Sequence, residues 1–195
     1  MRVVLIRHGA TKGNLEKRYI GVTDESLCDE GKDKLKRYIR AVKYPDVAKV
    51  YVSPMKRCIQ TAKMIYPEKE KIVVDEFREC DFGTFEGKNY KELSCDEEYQ
   101  RWIDSNAQLP FPKGEDNVHF KKRCVEAFIR IIKQSCDNSE SCACIVHGGT
   151  IMSILSMLYG GDYYDYHCGN AEGYVCEVTQ DAKITDIRKI HTFNN

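Results

Sequence analysis

Short apolar runs alternate along the chain with stretches in which apolar residues recur every three or four positions. That is the pattern of a parallel sheet covered by helices. Val3 to Ile6 and Cys144 to Val146 are unbroken apolar runs, as expected of strands buried on both faces, and Val50 to Val52 and Ile72 to Val74 are shorter runs of the same kind. After the first run, Leu35, Tyr38, Ile39 and Val42 fall at helical spacing, with Asp29 and Glu30 early and Arg40 and Lys43 late, an order that suits the helix dipole. Ser53-Pro54 offers an N-cap followed by a proline at the first helical position, and Met55, Cys58, Ile59, Ala62 and Ile65 form one stripe behind it. A longer helix is predicted from about Glu115 to Gln134 on the face Phe120, Cys124, Ala127, Phe128 and Ile131. Another spans Thr150 to Tyr159, stopped by Gly160-Gly161. Tyr174 to Val178 and Ile184 to Ile190 read as two final strands joined by a turn near Gln180 to Lys183. The expected fold is α/β, a three-layer sandwich with a mostly parallel central sheet flanked by helices. The segment 83–112 carries the least pattern and reads as a lid-like excursion containing Tyr90, Tyr99, Trp102 and Phe111.

Composition narrows the class. With 195 residues, 42% of them hydrophobic and 31% charged, the chain suits one folded domain over 1–195 rather than a disordered or fibrous protein. Lys+Arg and Asp+Glu both count 30, so no global basic field exists to hold nucleic acid or an anionic membrane. Apolar runs such as Ala143 to Val146 are too short to span a bilayer, and a strand starts at once without a signal-peptide pattern, so the expected location is the cytoplasm. The ten cysteines are scattered, without zinc-ligand spacing, and read as reduced small hydrophobes; Cys142 and Cys144 are expected to flank a strand.

The chemistry lies just after the strands, where open α/β sheets bind ligands. Arg7-His8-Gly9 follows the first, Ser53 to Arg57 the second, Glu79 lies past the third, and His147-Gly148-Gly149-Thr150 follows the fourth. If the four are parallel, two histidines, two arginines and a carboxylate meet at one edge. Arg57 in the first turn of a helix opposes the dipole and calls for a compensating anion, and the glycines after His147 let backbone N–H groups approach the same anion. Two guanidinium forks with a helix N-terminus suit a phosphoryl group. Taken singly, each of these residues could be a solvated cation, a satisfied histidine or one of many acids; only a shared placement makes them a site.

Several segments carry a family resemblance. Arg7-His8-Gly9-Ala10-Thr11-Lys12-Gly13-Asn14 resembles the Arg-His-Gly-x-Thr-x-x-Asn signature of the histidine phosphatase superfamily, in its phosphoglycerate-mutase-like branch. Asp24 to Leu27 with Gly31, Ser53 to Ala62, Glu79 to Gly83, Phe85-Glu86-Gly87 and His147-Gly148-Gly149 match in order. The resemblance implies His8 as the nucleophile that becomes phosphohistidine. It makes Arg7, Arg57 and His147 the catalytic clamp on the phosphoryl oxygens, with Asn14, Thr11 and Gly148 as further phosphate contacts. Glu79 becomes the acid and then the base. It implies no metal and no cofactor, a small-molecule phosphate ester as partner, and a monomer or homodimer.

Mutases of the family carry Glu-Arg-His-Tyr-Gly where this chain reads Glu79-Cys80-Asp81-Phe82-Gly83, and they are longer, which favours a phosphatase. Residues 77–87, Tyr99 to Trp102 and Pro110 to Pro112 look most like α-ribazole phosphatases of the cobalamin pathway, with Tyr99, Trp102 and Lys113 as candidate pocket residues. A sugar-phosphate or phosphoglycerate phosphatase, a mutase, and an inactive phospholigand-binding module stay as alternatives. Lys113-Gly114-Glu115-Asp116 stands where relatives have Gly-Gly-Glu-Ser, so Asp116 takes the serine's capping place and Lys113 adds a cation; Ile20 replaces a residue usually polar.

Overall fold

The computed structural model describes residues 1–42, 44–135 and 141–190. In chain order the elements are β1 (Arg2–Arg7), α1 (Lys12–Leu15), α2 (Asp29–Val42), β2 (Lys49–Val52), α3 (Lys56–Ile65), β3 (Lys71–Val73), α4 (Glu97–Asp104), α5 (Asn117–Ser135), β4 (Cys142–Val146), α6 (Gly148–Leu158), β5 (Gly173–Val178) and β6 (Ile184–Lys189). The six strands form one sheet in the order β3-β2-β4-β1-β5-β6. β1 to β4 are mutually parallel and the β5–β6 hairpin adds antiparallel to β1.

Strict alternation inside fully buried strands produces the layers. Val3 and Leu5 of β1 with Cys142, Cys144 and Val146 of β4 face a core shared with Phe128, Ile131 and Ile151 of α5 and α6. Val4, Ile6, Ala143 and Ile145 face the other side, against Cys58 and Ala62 of α3. Outside α3 lies α2, whose Leu35, Tyr38 and Ile39 meet Met64 and Ile65. The side chain of Val42 and residue Lys43 lie outside the described residues.

Three local expectations change and one holds. β3 is an edge strand, so Ile72 and Val73 are exposed instead of buried on both faces. Cys142 and Cys144 lie within β4 and do not flank it; among the nine described cysteines, all free, seven are buried, and Cys136 lies outside the described residues. Ser53-Pro54 does not open α3, because the Ser53 hydroxyl is engaged by His147. The helix starts at Lys56, whose N–H donates to Asp24 Oδ1 at 2.7 Å. Asp116 does cap α5, accepting from the N–H groups of Val118 and His119 at 2.8 and 3.0 Å.

The excursion 83–112 builds its own small core. Phe85, Leu93, Tyr99, Trp102 and Phe111 pack together and onto Phe120 and Cys124 of α5. Gly83 enters it at φ +54°, where a Cβ would fall 2.1 Å from the Pro112 carbonyl oxygen, so only glycine fits. Lys113 also adopts a left-handed conformation, φ +58°, with its side chain exposed. A glycine would hold this conformation without strain, and lysine carries a cost of roughly 1 kcal/mol. Among the described residues no helix is long and apolar enough to cross a membrane.

Candidate active site

Register brings the chemistry together. Arg7 pairs with Val146 and Val52 with Ile145, so β1, β2 and β4 end level and the residues that follow them share one sheet edge. The rings of His8 and His147 meet edge-on with centroids 5.2 Å apart. Arg57 Nε reaches His147 Nδ1 at 3.4 Å. The Arg7 guanidinium lies against Gly148, where a Cβ would stand 3.4 Å from Nε, and Glu79 lies against Gly149, where a Cβ would stand 2.7 Å from Oε1. All five residues expected at the edge are there.

The hydrogen bonds assign the tautomers. His8 is 3% exposed and its Nδ1 lies 2.7 Å from the Gly9 carbonyl oxygen. A carbonyl only accepts, so Nδ1 carries the proton and Nε2 the lone pair. Burial first, then Arg57 and Arg7, push the His8 pKa well below the ordinary 6.5, which keeps that nitrogen unprotonated. His147 is the reverse. Arg57 Nε can only donate, so Nδ1 accepts, and Nε2 donates to Ser53 Oγ at 2.8 Å. Burial and Arg57 likewise hold His147 well below its usual value. It meets an anion as a donor only by taking up a proton at Nδ1.

Arg57 is fully buried, and carbonyls replace a counter-ion. Its Nη1 donates to Thr23 O and its Nη2 to Gly21 O, each at 2.8 Å. The loop 21–23 is held in turn by Glu86, whose Oε1 accepts from the N–H groups of Gly21 and Thr23 at 2.8 and 2.9 Å. Arg7 Nη1 donates to Cys168 O at 2.7 Å while its Nε is buried without a partner. A buried, unsatisfied guanidinium N–H is costly and fits a place kept for an oxyanion.

Glu79 Oε1 accepts from the N–H of Cys80 at 3.0 Å and lies against Gly149. Burial nevertheless lifts its pKa above the usual 4.5, against these contacts and the two arginines, so it holds a proton longer than a solvent carboxyl would. Beside it opens a cavity of about 350 Å³ walled by Gly21, Val22 and Met55, by Arg78 and Arg123, and by five carboxylates, Asp75, Glu76, Glu79, Asp81 and Glu115.

Other expected residues sit elsewhere. Thr11 is fully buried and accepts from Asn14 N–H as the cap of α1, one layer behind the edge. Asn14 Oδ1 accepts from Thr11 N–H and from Asn170 Nδ2, leaving its amide NH₂ as the end free to meet an anion. Tyr99 and Trp102 are each 7% exposed inside the aromatic core of the excursion, where their rings stack 6.1 Å apart; neither they nor the exposed Lys113 wall the cavity. Three supporting residues escaped sequence reasoning. Asn170, which donates to His8 O at 3.1 Å, carries no motif. Glu86 lies in a matched motif but its role depends on the loop 21–23. Ser53 reads as a helix cap until the sheet brings it to His147.

The model of histidine phosphatase superfamily branch 1 matches residues 3–189 of this chain. The chain belongs to that superfamily. As a histidine phosphatase it is 26% identical over 178 residues to phosphoserine phosphatase 1 of Hydrogenobacter thermophilus, covering 88% of this chain and 83% of that one. A putative alpha-ribazole-5'-P phosphatase from Escherichia coli superposes with TM-score 0.83 over 96% of this chain and 94% of that chain at 20% identity, which speaks to fold alone. A phosphoserine phosphatase from Entamoeba histolytica in complex with 3-phosphoglyceric acid superposes with TM-score 0.80 at 25% identity, over 95% of each chain. The mostly parallel, helix-flanked sheet predicted from the sequence is the fold of these phosphatases.

Proposed function

We propose that this histidine phosphatase is a metal-independent phosphomonoesterase that works through phosphohistidine. The carrying observation is the bond from His8 Nδ1–H to the Gly9 carbonyl, which leaves Nε2 as the nucleophile beside the two arginines. Nε2 attacks phosphorus as the ester P–O bond breaks, and the protonated Glu79 carboxyl gives its proton to the leaving oxygen. Arg7, Arg57, Asn14 and the first N–H groups of α6 hold the equatorial oxygens, and His147 joins them once the incoming dianion raises its pKa. Water then attacks the phosphohistidine. Its proton goes to the Glu79 carboxylate, the P–N bond breaks, and phosphate leaves with His8 restored.

For the leaving alcohol, the resemblance at 77–87 supports α-ribazole 5′-phosphate. Tyr99 and Trp102, expected as pocket residues, are buried and do not wall the cavity, so they lend that substrate no support. A second reading, phosphoserine, is favoured by the cavity beside Glu79. Arg78, which also meets Asp75 Oδ1 at 3.4 Å, lines this space to face a carboxylate, and Asp81 among its carboxylates suits an ammonium. The test is turnover of 4-nitrophenyl phosphate in EDTA with trapping of acid-labile phosphate, followed by kcat/KM on α-ribazole 5′-phosphate, phosphoserine and 3-phosphoglycerate. Wild type should turn over and His8→Ala should neither turn over nor take up phosphate. Phosphate binding without turnover by wild type would mean an inactive phospholigand module.

A further inference from the structure

We propose that Arg123, locked to Glu115, is the positioning residue that holds Glu79 at the leaving oxygen; this rests on the reading of Glu79 as general acid. Arg123 stands on α5, outside the phosphate clamp, and all five of its N–H groups are used. Nε and Nη2 grip the two oxygens of Glu115 at 2.7 Å each. Nη1 donates to the carbonyls of Glu76 at 2.5 Å and Arg78 at 2.8 Å, and the second Nη2 proton goes to the carbonyl of Glu79 at 3.2 Å. Glu115 closes the arrangement through its own N–H, which donates to Asp81 O at 2.9 Å.

The stretch from Arg78 to Phe82 has no helix or strand to hold it. Arg123 and Glu115 fasten it at three carbonyls, those of Arg78, Glu79 and Asp81, and anchor the turn before it at a fourth, that of Glu76, with the Glu79 side chain in the middle. The guanidinium stands over the Phe120 ring, 4.9 Å from its centroid, and Phe120 packs beneath Gly149, against which the Glu79 carboxyl also lies. Backbone and carboxyl of Glu79 are therefore referred to the same helix. A lysine keeps the charge but cannot make this five-bond fork. A displacement of the order of 1 Å costs about a hundredfold where geometry matters.

A residue that only stabilises α5 would, when changed, slow every substrate alike. A residue that aims the general acid matters in proportion to how badly the leaving oxygen needs a proton. The experiment compares kcat/KM, which reports phosphoryl transfer to His8, for β-glycerol phosphate and 2,4-dinitrophenyl phosphate in wild type, Glu79→Gln, Arg123→Lys, Arg123→Gln and Glu115→Gln. Glu79→Gln should lose the alkyl ester and largely keep the dinitrophenyl ester, and the Arg123 variants should shift the ratio the same way by about tenfold or more. If Glu79→Gln shows that selectivity while Arg123→Lys and Glu115→Gln slow both esters equally, or neither, the positioning role is overturned and the general acid stands. If Glu79→Gln itself shows no selectivity, the general-acid reading falls and takes this one with it. Should Arg123→Gln fail to fold, Arg123→Lys and Glu115→Gln decide the matter.

Discussion

At the scale of single residues, the proposed mechanism rests on opposing shifts on an acid and a base. It needs His8 unprotonated to attack and Glu79 protonated to assist, and burial moves the first below 6.5 and the second above 4.5. Activity should therefore fall on the acid side as His8 takes up a proton and on the alkaline side as Glu79 loses its own. The kcat/KM profile should be a bell displaced to acidic pH. Glu79→Gln, whose amide does not titrate, should lower the maximum for alkyl phosphates and abolish the alkaline limb. Retention of that limb would assign it to another group. Arg57 shows the same economy. The sequence calls for an anion to balance a cation in the first turn of α3, and the fold supplies carbonyls of Gly21 and Thr23 and a carboxylate, Asp24, at the helix start. The arginine is held rigidly with no ion-pair partner among the described residues, so a phosphoryl group meets an uncommitted positive charge.

At the scale of elements, the excursion 83–112 is a packed unit. Trp102 touches Phe85, Tyr99 and Phe111 at centroid distances of 5.9, 6.1 and 5.0 Å, and its exposure is 7%. Trp102→Ala should destabilise the protein by about 3–5 kcal/mol, read as a lowered denaturant midpoint. KM for any aromatic ester should move no more than KM for an alkyl ester. A loss confined to aromatic substrates with unchanged stability would return Trp102 to the substrate pocket. The stripe of aromatics was legible as a pattern, but whether it faces ligand or its own core depends on how α4 docks on α5, which no spacing encodes.

At the scale of the molecule, neutrality overall conceals a local positive edge. The 30 basic and 30 acidic side chains cancel, while Arg7 and Arg57 converge with two histidines held neutral by burial. Inorganic phosphate, binding only the folded state, should raise the melting temperature in a concentration-dependent way, and Arg57→Ala should abolish the shift. Without ligand, stability should fall as pH drops below 6.5. The unfolded chain takes up protons there that buried His8 and His147 refuse until their own lower pKa values are reached. A midpoint flat across that range would contradict the neutral histidines.

By itself the sequence determined the strands, the long helices and the five residues at the sheet edge. Burial on both faces writes continuous apolar runs, and each of those five residues stands in a short local motif. It also placed the Asp116 cap, a contact within three residues. Only the tertiary structure decided that Ile72 and Val73 lie on an open edge, that Ser53 serves His147, and that Asn170, Glu86 and Arg123 hold His8, the Arg57 loop and Glu79 in place. Those bonds join residues 44 to 162 positions apart in the chain, several of them through carbonyls that every residue possesses, so no side-chain pattern marks them in advance.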